Sequence, residues 1–212
     1  MLGIISAGVA PALALMSFIY LKDRITEPIP LIMRTFVFGC LLVFPIMFIQ
    51  YAFISDEIGN AFVQSFFVVA FLEEFFKWFI FMYVIYQHTE FDAHYDGIVY
   101  AVAISLGFAT VENILYLFVN GIEYALSRAI FPVSSHALFG VIMGYYFGKA
   151  KMNANHRIRS IVLALILPIV LHGIYNFILI TFETNWIFYV VPFMILLWMF
   201  GLRRMKMAIA SY

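Results

Sequence analysis

Charge is scarce in this sequence. Only 11% of its 212 residues are Asp, Glu, Lys or Arg, against roughly one quarter in soluble domains. No polar stretch between the apolar runs is long enough to fold as a separate soluble domain. Cysteine is nearly absent: Cys40 stands alone inside an apolar run, which excludes an intramolecular disulfide and leaves it as a small packing residue. There is no internal repeat, low-complexity tract, glycine-rich phosphate loop or nucleotide motif. Basic residues are confined to short loops and the tail, so no nucleic-acid partner is expected, although contact with anionic lipid at those loops is open. The N-terminal run contains small residues (SAGVAPALA) but nothing basic precedes it, which argues against a cleaved secretory signal and for a retained first span.

What the sequence has in abundance is apolar surface. Hydrophobic residues make up 65% of the chain and aromatics 19%, and the mean hydropathy is +1.00. Seven apolar segments, near 2–21, 34–54, 61–86, 97–118, 130–148, 160–181 and 187–202, are each placed to cross a hydrocarbon core of about 30 Å, which takes about 20 helical residues. The last is short, and the third is long enough to tilt. The expected fold is therefore all-α: a polytopic transmembrane helical bundle of about seven spans, with residues 1–212 forming a single integral-membrane domain in a lipid bilayer. An outside N-terminus puts Lys22, Arg24, Arg34, Lys149, Lys151, Arg157, Arg159, Arg203, Arg204 and Lys206 on the cytoplasmic side and only Arg128 outside, the asymmetry that basic loops impose on orientation. The C-terminus is then cytoplasmic.

Against this background FLEEFFKWF, residues 71–79, stands out. A charged side chain at the bilayer centre costs roughly 2.5–3.5 kcal/mol on insertion scales, and here Glu73, Glu74 and Lys77 lie together in one apolar run. Helical spacing brings Lys77 within reach of Glu73 at i, i+4 and of Glu74 at i, i+3. Adjacent Glu73 and Glu74 point about 100° apart, so one carboxylate is expected to pair with Lys77 and the other to face a cavity. Elsewhere two rows of small residues recur every four positions: Gly97, Ala101, Ser105, Ala109 and Asn113 in the fourth span, and His136, Gly140, Gly144 and Gly148 in the fifth. Such rows let helices approach closely in lipid, and each row carries a polar group into the bundle. His172 and Asn176 share a face of the sixth span, four residues beyond Pro168, where a bend is expected. Counting about 1.5 Å of rise per residue puts Glu112 and His136 at about 9 Å below the outer boundary, His172 at about 14 Å, and Glu73 and Glu74 deeper.

Several chemistries use these residue types. A partly desolvated carboxylate beside a second one can take a proton from water, and His172, Asn176, His136 and Asn113 are of the types that stabilise an oxyanion. Alternatively, two or three of Glu73, Glu74, Glu112, His136 and His172 bind a metal, most simply zinc, although no HExxH is present. An ion relay and plain interhelical hydrogen bonding are the remaining readings. The loop HTEFDAHYD holds His88, Glu90, Asp92, His94 and Asp96, which resemble a ligand set but read more simply as a solvated connection.

EEFFKWF (73–79), HYDGIVY (94–100), SLGFATVENILY (105–116), PVSSHALFGVIMGYYFGKA (132–150), HGIYNF (172–177) and FPIMFIQY (44–51) together resemble the PrsW family of bacterial intramembrane proteases. The pattern shared with the wider superfamily of CAAX prenyl endopeptidases and bacteriocin-processing proteins is a Glu-Glu pair, a His on a later helix and a final HxxxN or HxxxD. Glu73, Glu74, His136, His172 and Asn176 match it, and Lys77 stands where the superfamily often has Arg. The resemblance implies a plasma-membrane endopeptidase that makes the first, extracytoplasmic cut in a single-span anti-sigma factor, leading to sigma-factor release in envelope stress. The expected roles are water activation by Glu73 or Glu74, oxyanion stabilisation by His172 with Asn176, and a cavity shaped by Glu112, Asn113 and His136. No cofactor is expected on this reading; a zinc-dependent version of the same proteolysis, and a non-catalytic membrane scaffold or chaperone, are the alternatives.

Overall fold

A computed structural model describes residues 1–53 and 60–211. It contains helices α1 (Leu2–Tyr20), α2 (Ile29–Phe53), α3 (61–85), α4 (Asp96–Asn120), α5 (Ile122–Met152), α6 (Arg157–Thr181) and α7 (Trp186–Ile209), and no strand among the described residues. Six of these are long and apolar enough to cross a membrane. The seventh, α3, has the length but carries Glu73, Glu74 and Lys77 at its middle.

The rods outrun several of the apolar segments. The fifth begins at Ile122 rather than near 130, the seventh continues to Ile209 rather than stopping near 202, and the second begins at Ile29. Hydropathy marks where the lipid core ends, whereas the backbone ladder continues into flanking polar residues. The expected end of the second span at residue 54 lies outside the described residues. Two helices also depart from regular α geometry. In α3, π-helical turns over Gln64–Phe71 and Phe81–Ile85 flank the α-helical segment Leu72–Ile80. In α5 a π-helical turn over Ala129–Val133 contains Pro132, just before His136. Proline removes one i→i−4 bond, and a wider turn absorbs the lost register. By contrast, α6 runs unbroken through Pro168.

Helices α4 and α5 form the centre: residues 96–110 and 133–148 are buried almost without interruption. The small-residue rows are the reason. A Cβ added at Gly140 would meet the Ala101 carbonyl oxygen at 3.0 Å and Ser105 Oγ at 2.9 Å, and one at Gly144 would meet the Ile98 Cα at 2.5 Å. The two rows therefore face each other with backbone against backbone. Around this pair, α1 and α2 pack against α4, and α6 and α7 against α5, while α3 lies between α2 and α6. The loops and tail that carry most of the basic residues share one end of the bundle. There the Tyr95 hydroxyl donates to the Ile19 carbonyl, Lys151 Nζ donates to the Tyr86 carbonyl, and His94 Nδ1 lies 3.0 Å from Ser211 Oγ.

Candidate active site

The segment Leu72–Ile80 turns its one polar stripe inward, so Glu74 and Lys77 are fully enclosed and Glu73 is 6% exposed. Lys77 has three N–H donors, and three acceptors face it: Glu74 Oε1 at 2.8 Å, His136 Nδ1 at 3.2 Å and, most distantly, Glu73 Oε2 at 3.5 Å. The Phe108 ring lies under the ammonium, 4.3 Å from centroid to Nζ. From α6, His172 Nδ1 lies 3.0 Å from the same Glu74 oxygen, with its ring stacked on Phe139 at 5.0 Å. Buried charges at this depth persist only if each has an opposite charge and its hydrogen bonds, and Lys77 supplies both for the carboxylate pair.

A second tier lies behind His136. Its Nε2 is 3.0 Å from Glu112 Oε2, and Glu112 Oε1 accepts from an Arg128 terminal nitrogen at 2.9 Å. Arg128 Nε donates to Asn113 Oδ1 at 2.9 Å, and Asn113 Nδ2 donates to the Gly8 carbonyl at 3.1 Å. The guanidinium covers the Tyr116 ring at 4.1 Å. A cavity of about 260 Å³ opens beside Glu112 between α2 and α4, away from the basic end, lined by Met47, Glu112, Leu115, Tyr116, Val119 and Asn120.

The structure thus brings Glu73, Glu74, Lys77, His136, His172 and Glu112 into one connected network. The depth count, which separated Glu73 and Glu74 from Glu112 and His136, is bridged by the long Lys77 side chain. Glu74 is the carboxylate paired with Lys77 and His172, and Glu73 is the more exposed one. Glu112 differs from the expected ligand set, because it holds the far nitrogen of His136 rather than joining the central donors. Asn113 also differs: its amide is used by Arg128 and Gly8 and does not line the centre. Asn176 Nδ2 is buried with no hydrogen-bond partner among the described residues.

The loop ligand set does not assemble. His94 is taken by Tyr145 and Ser211, and Asp96 Oδ2 accepts from the backbone of Asp92 and Ala93 at the start of α4. Asp96 instead lies with Asp23 and Glu27. Burial lifts the Glu27 carboxyl to about 8, although its bond from the Tyr100 hydroxyl works the other way. Two further residues, Gln50 and Arg128, join this network. Gln50 Nε2 donates to Glu73 Oε1 at 3.2 Å, and it is a lone amide in an apolar run, the type of residue that marks an inward contact in a membrane helix. Arg128 is the one basic residue that the charge asymmetry places outside, which by itself does not mark it as part of a buried network.

The centre also fits a metal. Glu73, Glu74, His136 and His172 each offer a donor atom, all within 4.8 Å of one another, and Glu74 Oε2 is buried without a hydrogen-bond partner among the described residues. Mixed carboxylate and imidazole donors suit zinc. The profile of the PrsW family intramembrane metalloproteases matches residues 27–200. The Protease PrsW of Oceanobacillus iheyensis is 64% identical, covering 98% of this chain and 97% of its own length. The chain belongs to the PrsW family. The Protease PrsW of Bacillus subtilis is 54% identical over 98% of this chain and 96% of its own length, and that of Clostridioides difficile 30% identical over 93% and 88%. No solved structure matches the chain. As a PrsW-family member it is an intramembrane peptidase, and its apolar helices make it a multi-pass membrane protein, for which a bacterial plasma membrane fits these relatives.

Proposed function

We propose that this PrsW-family chain, acting as a single integral-membrane domain with its N-terminus outside and C-terminus in the cytoplasm, makes the first, extracytoplasmic cut in a single-span anti-sigma factor, using water activated by a glutamate. The observation that carries the mechanism is the Lys77 ammonium shared by Glu73, Glu74 and His136, with His172 on Glu74. One carboxylate is thereby neutralised and held rigid, while the other is left nearer the surface. Glu73, the less enclosed, takes a proton from water as its oxygen attacks the scissile carbonyl carbon. When the tetrahedral adduct collapses and the C–N bond breaks, Glu73 returns that proton to the leaving amine. Glu74 orients His172 through Nδ1, and His172 stabilises the oxyanion together with Asn176 Nδ2, a buried donor with no other partner among the described residues. The cavity beside Glu112 lies toward the end opposite the basic loops, in keeping with an extracytoplasmic cut.

A second reading is favoured by the four convergent donors and by the family's description as metalloproteases. Glu73, Glu74, His136 and His172 would hold a zinc ion, which when bound polarises a carbonyl and makes water a stronger nucleophile. In that case Lys77 competes with the ion, because its Nζ lies against three of the same four side chains. Cleavage of a purified single-span anti-sigma factor by wild type and Glu73→Ala, with metal content measured, tests both readings. Activity in a preparation without stoichiometric metal, unaffected by chelators and lost in Glu73→Ala, is the expected result; zinc-dependent restoration after chelation selects the second reading.

A further inference from the structure

His136 is pinned from both sides by groups whose hydrogen-bonding character is fixed. On one side is Lys77, which has donors and no acceptor; its Nζ lies 3.2 Å from Nδ1. On the other is Glu112, ion-paired with Arg128 and therefore an acceptor; its Oε2 lies 3.0 Å from Nε2. Both partners require the same form of a neutral imidazole: hydrogen on Nε2 and a lone pair on Nδ1. Arg128 in turn holds Glu112 in place, because its planar guanidinium bonds Glu112 and Asn113 from adjacent nitrogens and stacks on Tyr116. Asn113 is itself tied to the Gly8 carbonyl on α1. Arg128 is 9% exposed and, among the described residues, reaches the centre through Glu112.

We propose that Arg128 and Glu112 form a positioning pair that holds His136 as its Nε2–H tautomer, so that Nδ1 presents a lone pair to Lys77 and the reacting centre. A carboxylate behind a working histidine commonly fixes the ring and its tautomer in this way. The opposite tautomer would turn an N–H toward the ammonium, deprive Lys77 of its third acceptor and loosen its hold on Glu73 and Glu74. The same lone pair is the one His136 would offer a metal, so the inference holds for either chemistry. It rests on the reading that the peptide bond is cut at the Glu73, Glu74 and His172 centre.

Glu112→Gln is the discriminating variant. It is isosteric, but with its carboxamide oxygen on Arg128 it turns an NH₂ to His136 Nε2, so donors face both ring nitrogens and the Nε2–H tautomer loses the acceptor that selects it. The measurement is the ¹⁵N spectrum of His136 in the full-length protein in nanodiscs at mildly alkaline pH, together with steady-state cleavage. Wild type is expected to show Nε2–H. Glu112→Gln is expected to lose the single Nε2–H form and to show a kcat lower by about 10–100-fold with little change in KM, the usual penalty for losing such a partner. Arg128→Met, which frees the Glu112 carboxylate to swing off Nε2, is expected to weaken the Nε2–H signal and lower kcat, and Arg128→Lys, which keeps a cation on Glu112, to recover most of both. A purely structural role for Arg128 predicts a lower unfolding temperature with an unchanged tautomer, and that result overturns the inference. So does loss of the Nε2–H form in Glu112→Gln with wild-type kcat. If Glu112→Gln does not insert, the Arg128 pair decides through the same spectrum. Failure of the underlying reading looks different: cleavage persists in Glu73→Gln and in His172→Ala whatever the His136 spectrum shows.

Discussion

His172 Nδ1 on α6 lies 3.0 Å from Glu74 Oε1 on α3, a contact between residues 98 positions apart in sequence. The same oxygen takes Lys77 at 2.8 Å, so a local ion pair and a long-range hydrogen bond converge on one atom. Close packing makes this register possible: a Cβ at Gly173, next to His172, would meet Cγ of Phe66 on α3 at 2.7 Å. The two helices are thus in contact at the residue beside the histidine, and the imidazole needs no unusual reach.

Loss of the central groups should abolish cleavage without disturbing insertion. Glu73→Ala, Glu74→Ala and His172→Ala are each expected to lower the rate by at least about 100-fold, the low end for removing an acid–base group. Quantitative cleavage assays normalised to membrane-inserted protein check this. Retained activity in all three would remove the centre from the reaction.

Lys77→Met should damage stability more than a surface substitution does. It leaves Glu73 and Glu74 buried without their cation, and breaking a buried pair in this way costs about 3–5 kcal/mol. Combining it with Glu74→Gln removes one of the stranded carboxylates, so the double variant is expected to be less destabilised than the sum of the singles. Thermal unfolding in detergent of the two singles and the double variant gives the coupling directly; strict additivity would contradict the pairing.

Gly144→Val should separate α4 from α5. Even one Cβ there meets the backbone of Gly97 and Ile98, with Ile98 Cα at 2.5 Å, and backbone cannot swing aside as a side chain can. The expected outcome is a lower unfolding temperature and a loss of activity beyond the fraction unfolded, because His136 rides on the same helix. An unfolding temperature equal to wild type would show that the contact yields easily.

Stability at the basic end should fall as the solution becomes alkaline. Glu27, in the α1–α2 connection, is lifted by burial from 4.5 to about 8, with the nearby Asp96 adding to the effect and Tyr100 opposing it. The folded state therefore holds a proton that the unfolded chain releases near 4.5. This contribution is fully present below that value and is lost as pH rises through about 8. Unfolding temperatures measured from pH 5.5 to 8.5 should decline, and Glu27→Gln, which needs no proton, should flatten the decline.

What depends on one helix at a time is legible in the amino-acid chain. Apolar length fixed an all-α membrane bundle, with seven rods near the expected places. The i, i+3 and i, i+4 spacings put Lys77 on the same face as Glu73 and Glu74, and four-residue rows announced the α4–α5 contact. Those relationships are local, since helical pitch dictates them whatever surrounds the helix. Which histidine meets which carboxylate was decided only by tertiary structure, because the rotation and depth of one helix against another depend on how side chains interlock. Arg128 shows the difference most clearly. Hydropathy left it in an outside loop, but α5 begins at Ile122, which places Arg128 within the helix and turns it inward onto Glu112. Gln50 meets Glu73, and Asp96 joins Asp23 and Glu27, for the same reason: each contact crosses between helices or loops whose relative positions no local pattern encodes.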